Sequence, residues 1–93
     1  MYRYKLNIQA EEDITRIFEY GLARFGLFQA NKYYEMFFEC FSKIANNPLL
    51  FPEAFHYRAG YRYCVCGVDT IFYKINADAV EIMAIIGRQK YSI

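Results

Sequence analysis

Residues Tyr2 to Ile8 alternate, with Tyr2, Tyr4, Leu6 and Ile8 on one side and Arg3, Lys5 and Asn7 on the other. A period of two predicts a strand with one buried face. The period then changes. Ala10, Ile14, Ile17, Phe18, Gly21, Leu22 and Phe25 recur at spacings of three and four, which predicts a helix from about Ile8 to Arg24. Asn7 suits its N-cap, because the side-chain oxygen can accept a first-turn backbone N–H. Glu11, Glu12 and Asp13 fall near the positive end of the helix dipole. Gly21 costs about 1 kcal/mol against Ala in a helix, which predicts close approach of a second helix there. Gly26 ends the helix in the left-handed conformation glycine tolerates.

A second helix is predicted over about Leu27 to Ala45. Ala30, Tyr33, Tyr34, Phe37, Phe38, Cys40, Phe41 and Ile44 form its stripe, wider than one contact face requires. Asn46-Asn47-Pro48 stops it, since a residue before proline is pushed to extended geometry. Leu49 to Tyr57 reads as a loop. Three strands follow: Ala59 to Cys66, Thr70 to Asn76 and Val80 to Ile86. The short connections Cys66-Gly67-Val68-Asp69 and Asn76-Ala77-Asp78-Ala79 predict antiparallel neighbours. Both faces of the last two strands are largely apolar, so these strands are expected at the sheet centre. The fold class is α+β in the order β-α-α-β-β-β, with a helical hairpin packed on a mainly antiparallel four-stranded sheet.

Ninety-three residues make one domain, 1–93, which buries roughly 60–65% of its unfolded surface. Hydrophobic residues are 56% of the chain and aromatics 20%. That exceeds what so small a core hides, so some Tyr and Phe must reach the surface, where a large apolar patch marks a partner site. The net charge of +1 argues against an interface dominated by phosphates, and no direct nucleic-acid site is expected. Acidic residues cluster early and Arg58, Arg62, Lys74, Arg88 and Lys90 fall late, giving a modest charge asymmetry. Three cysteines, Cys40, Cys64 and Cys66, without a leader sequence or regular spacing, predict reduced thiols in the cytoplasm. No apolar run approaches the ~18–20 residues that span a bilayer.

Few residues offer chemistry. Cys64-x-Cys66 with Cys40 or His56 lacks the paired short spacings of a structural zinc site, and the thiols read as small buried hydrophobes. No metal or other cofactor is expected. His56, the single histidine, reads as a surface residue. RNA cleavage would need a base or acid near the 2′-hydroxyl and cations around the phosphate. Arg58, Arg62, Tyr73, Arg88, Lys90 and Tyr91 are the groups available, with no carboxylate–cation cluster among the late strands.

The order and spacing of these pieces resemble a ParE toxin of the RelE/ParE superfamily, the toxic half of bacterial type II toxin–antitoxin modules, often called plasmid stabilisation systems. The resemblance covers nearly the whole chain. It rests on Leu6, Ala10, Asp13, Ile17 and Tyr20, on Phe25-Gly26, Gln29-Ala30 and Tyr33, and on Ala45 through Pro48. Gly60-Tyr61-Arg62, Phe72-Tyr73-Lys74 and Ile85-Ile86 complete it. Many ParE-like chains end the final strand with His before a basic residue and a polar tail; here Gly87 takes that place, followed by Arg88-Gln89.

The resemblance implies a domain silenced by a ParD-like antitoxin in a hetero-oligomer. Freed, it would inhibit DNA gyrase by binding, with no bond-breaking of its own. The partner surface is expected on the late strands, at Arg58, Tyr61, Arg62, Tyr73 and Arg88, with Arg62 on the sheet face away from the helices. Surplus helix aromatics, together with the sheet edge, are expected to receive an antitoxin segment, as an amphipathic helix or an added strand. Two other readings stay open: a RelE-like ribosome-dependent mRNA endonuclease, and a degenerate toxin that only binds its antitoxin.

Overall fold

The computed structural model describes residues 2–87. The chain runs β1 (Arg3–Leu6), α1 (Ile8–Phe25), α2 (Leu27–Asn46), a short 3-10 turn (Pro48–Leu50), β2 (Arg62–Cys66), β3 (Asp69–Asn76) and β4 (Ala79–Gly87). The expected order is the observed one. The sheet order is β1-β4-β3-β2, so the two apolar strands are central. β1 pairs parallel to β4, and the other two pairings are antiparallel. No helix among the described residues is long and apolar enough to cross a membrane.

Local chemistry sets the helix ends. The Asn7 side chain accepts the Ala10 N–H at 2.9 Å, as its N-cap position requires. Ile8 differs from expectation. It opens α1 and is 73% exposed, so the alternation of β1 stops at Leu6. Gly26 has φ 88° and ψ 172°, a positive φ with an extended ψ that is essentially open to glycine alone, not the left-handed helical cap. One residue thereby ends α1, donating its N–H to the Leu22 carbonyl, and starts α2, accepting from Ala30. Asn47, at φ −153° ahead of Pro48, closes α2.

The core lies between the helices and one sheet face. Phe37, Phe41 and Ile44 of α2 pack on Ile71, Tyr73, Val80, Ile82 and Ile85, with Ala10 and Ile14 from α1. A bulge between Phe72 and Tyr73 shifts the β3–β4 register, so that Tyr73 pairs with Ile82 and Phe72 with Ala84. β1 pairs only as far as Ile82. Further along β4, the Ile85 N–H is taken by the Asp13 carboxylate of α1 at 2.9 Å. Asp13 is therefore more than a dipole partner. It is buried, and it also accepts from Gln9 at 2.9 Å and pairs with Arg16 at 3.2 Å.

The segment read as loop and early strand before β2 differs in detail. β2 starts at Arg62, because Ala54 to Tyr61 folds into consecutive turns closed by Arg58 N–H on Ala54 O and Ala54 N–H on Tyr61 O. Those turns lay Tyr57 on Phe72, ring centroids 4.1 Å apart and nearly parallel, which buries Phe72 on the face opposite the helices.

Candidate partner-binding cleft

The helices are longer than the short strand beside them. With 18 and 20 residues they measure about 27 and 30 Å, whereas the four residues of β1 cover about 13 Å. The buried residues of α1 are Ala10, Asp13 and Ile14, all in its first half. Its apolar stripe continues through Ile17, which packs against the edge of the core, to Phe18, Leu22 and Phe25. The stripe of α2 faces it through Ala30, Tyr33, Tyr34 and Phe37. Between them lies a cleft of about 630 Å³, floored by Val68, Asp69 and Gly87 at the end of the sheet. At Gly87 the cleft meets backbone, since glycine offers no side chain.

The walls are aromatic and open. Tyr20 is 52% exposed and Phe25 65%. Phe18 meets Tyr34 edge-on at 5.6 Å, and Tyr34 in turn leans on Phe38 at 5.0 Å. Gly21 sets the width at the hairpin, with Ala30 Cβ 3.7 Å from where a methyl would stand. The expected close approach is present there.

The floor holds one charged group. The Tyr33 hydroxyl donates to Asp69 Oδ2 at 2.6 Å, and its oxygen accepts the Val68 N–H at 3.4 Å. Burial pushes the Tyr33 hydroxyl well above the usual phenol range, and the hydrogen bond and charge of Asp69 push it further. The turn beneath is fitted to this pair. Gly67 has φ 63°, and a Cβ there would stand 2.8 Å from the Tyr33 hydroxyl and 3.0 Å from Met36 Cε.

Of the residues expected to form the partner surface, the four that the structure describes lie toward the other end of β2. Arg58 is exposed on the turns before the strand, and Tyr61 is half-buried with its ring against Tyr57. Arg62 is on the helix side of the sheet, not the opposite face. It shares that side with Cys64 and Cys66, which are buried against α2. Its guanidinium is turned inward, with Nη1 donating to the Phe51 carbonyl at 2.6 Å. Tyr73 is fully buried and donates its hydroxyl to the Pro48 carbonyl. Burial pushes that hydroxyl up to about 12, while neighbouring Arg62 pulls it down and Cys64 adds to the rise. Arg62 and Tyr73 therefore brace the turn after α2 and present little to a partner. Arg88 lies outside the described residues. Cys64 and Cys66 are buried as small hydrophobes, and His56 is exposed, edge-on to Tyr63 at 5.7 Å.

Reasoning from sequence named the surplus aromatics but assigned no site residues to them. The signal was available: Ile17, Tyr20, Phe25, Gln29, Ala30 and Tyr33, which carry the family resemblance, all line the cleft. Asp69 was missed, since a turn aspartate looks solvated until its hydroxyl partner is known.

The α+β architecture is that of a solved chain titled "Chromosomal ParDE TA system from P. aeruginosa". The two superpose with a TM-score of 0.83 at 15% identity, over 94% of this chain and 96% of that one. The family described as "ParE toxin of type II toxin-antitoxin system, parDE" matches residues 4–90. Toxin ParE1 of Caulobacter vibrioides (strain ATCC 19089 / CIP 103742 / CB 15) is 31% identical over 83 residues, covering 89% of this chain and 85% of that protein. The chain belongs to the ParE toxin family of type II toxin–antitoxin systems.

Proposed function

We propose that this ParE-family toxin arrests growth by binding and inhibiting DNA gyrase, and that a ParD-like antitoxin silences it by laying an amphipathic helix in the cleft between α1 and α2. The cleft carries the antitoxin half of this reading. Its walls are largely aromatic, with Tyr20 and Phe25 exposed, and its floor of Val68, Asp69 and Gly87 carries one carboxylate, which suits an apolar helix face bearing one cationic side chain. The similar solved chain belongs to a ParDE system, which favours an antitoxin as the occupant. The toxin acts in a hetero-oligomer that is dormant until the antitoxin is lost. Its action on gyrase is by contact, in the cytoplasm, with no covalent step of its own.

Support for a binding mechanism over RNA cleavage comes from the late strands. Tyr73 is buried with its hydroxyl committed to the Pro48 carbonyl, and Arg62 spends a guanidinium N–H on the Phe51 carbonyl, which favours structural roles for both over service to a scissile phosphate. Purified gyrase is the test. Loss of supercoiling on adding the toxin, restored by the antitoxin, is expected. Unchanged supercoiling at high toxin excess, with cuts inside translated codons after induction, would overturn the reading in favour of an endonuclease. Unchanged supercoiling with no growth defect would overturn it in favour of an antitoxin-binding protein alone.

A further inference from the structure

Cys40 on α2 and Cys66 at the end of β2 approach each other more closely than thiols that merely pack. Their sulfurs are 2.6 Å apart across 26 residues of sequence. A disulfide bond is about 2.05 Å long, so closing it needs a shift of about 0.6 Å, within the play of two side-chain torsions. Cys66 is 2% exposed, and its sulfur also lies 3.9 Å from the Met36 carbonyl. Cys40 is half-buried and so open to a small oxidant. The third thiol, Cys64, is buried two residues earlier on the same side of β2, with its sulfur 3.7 Å from the Val65 carbonyl.

We propose that Cys40 and Cys66 form an oxidation site, where a peroxide converts the dithiol to a disulfide that fastens α2 to the outer strand β2. The electrons balance through one peroxide. The Cys40 thiolate attacks a peroxide oxygen, the O–O bond breaks, and hydroxide leaves, giving a sulfenic acid at Cys40. The Cys66 thiolate then attacks that sulfur, the S–O bond breaks, and a second hydroxide leaves. The two thiol protons convert both hydroxides to water, so one peroxide is reduced and one disulfide formed.

The site has a built-in rate control. Burial raises the Cys66 thiol well above its ordinary value, with the Cys40 contact adding to the rise, and Cys64 is pushed up to about 11. Thiolate is scarce at neutral pH, so the second step quickens as pH rises. The consequence is local. Among the described strands β2 pairs with β3 alone, and the crosslink joins it to the helix that carries Tyr33 in the cleft wall. The inference stands on sulfur geometry and does not depend on the gyrase reading.

The test uses the purified full chain treated with hydrogen peroxide, denatured, alkylated and weighed. The expected product is an intact monomer that has lost two hydrogens and taken up one alkyl group, against three for the untreated protein, with a linked Cys40–Cys66 peptide pair. Cys64→Ala should keep the crosslink, and Cys40→Ala should abolish it. The oxidised protein should melt higher by on the order of 10 °C, reversed by a thiol reductant. Three alkylatable thiols after treatment, a Cys40–Cys64 link, or only intermolecular disulfides would overturn the proposal. Should Cys40→Ala fail to fold, peptide mapping of the wild-type protein decides alone.

Discussion

The Tyr33 hydroxyl holds the buried carboxylate of Asp69 at 2.6 Å, tying α2 to the β2–β3 turn across 36 residues of sequence. Tyr33→Phe removes the donor and leaves the carboxylate without its protein partner. The expected loss is about 1–3 kcal/mol of stability, read as a lower urea midpoint at unchanged slope. An unchanged midpoint would mean that water replaces the hydroxyl at no cost.

Half-buried Tyr33 and fully buried Tyr73 predict alkaline sensitivity. Both hydroxyls ionise less readily in the folded chain than in the unfolded one, so their contribution is complete below pH ~10, the unfolded phenol value. It declines as pH rises from there, and for Tyr73 the decline continues to about 12. Denaturant titrations at increasing pH should show stability falling above pH 10, by on the order of 2–3 kcal/mol for Tyr73. Tyr73→Phe should flatten that slope. An equal slope in the variant would remove Tyr73 as its source.

Two glycines should respond in opposite directions to the same change. Gly21→Ala places a methyl at ordinary contact distance from Ala30 and removes a helix penalty, so stability should rise by up to about 1 kcal/mol. Gly67→Ala places a methyl 2.8 Å from the Tyr33 hydroxyl at a positive φ, so stability should fall by about 1–3 kcal/mol. Thermal melts of the pair check both signs.

Asp13 replaces a strand that ends early. Asp13→Ala leaves the Ile85 N–H buried without an acceptor and frees Arg16, for a loss of about 2–3 kcal/mol. Hydrogen exchange at the Ile85 amide is the direct readout, and it should quicken in the variant. Exchange as slow as in the wild type would show that another group accepts that N–H.

The cleft walls test the antitoxin reading separately from stability. Phe25→Ser and Tyr20→Ser alter exposed residues, so the folding midpoint should stay within about 0.5 kcal/mol. Affinity for a ParD-like antitoxin should fall roughly tenfold or more for each. Arg58→Ala, at the far end of β2, should leave that affinity unchanged. The reverse ranking would move the antitoxin to the late-strand surface.

Periodicity determined the element order and the centrality of β3 and β4, and the local chemistry of Asn7, Gly26 and Pro48 set both helix spans to within a residue or so. These follow from how often an apolar side chain recurs and from how single residues end a helix, and both are written in the sequence. Only the tertiary structure decided the parallel docking of β1 on β4, the inward turn of Arg62 and Tyr73, and the pairing of Asp69 with Tyr33. Each of these depends on which distant group arrives at a given backbone or side-chain atom. Arg62 illustrates the limit: strand alternation puts it on one face with Cys64 and Cys66, but which face of that strand meets the helices is fixed by how the layers pack. The cleft belongs to the same class, because it exists where the second half of α1, the first half of α2 and the β2–β3 turn meet, and those segments come together only when the layers are stacked.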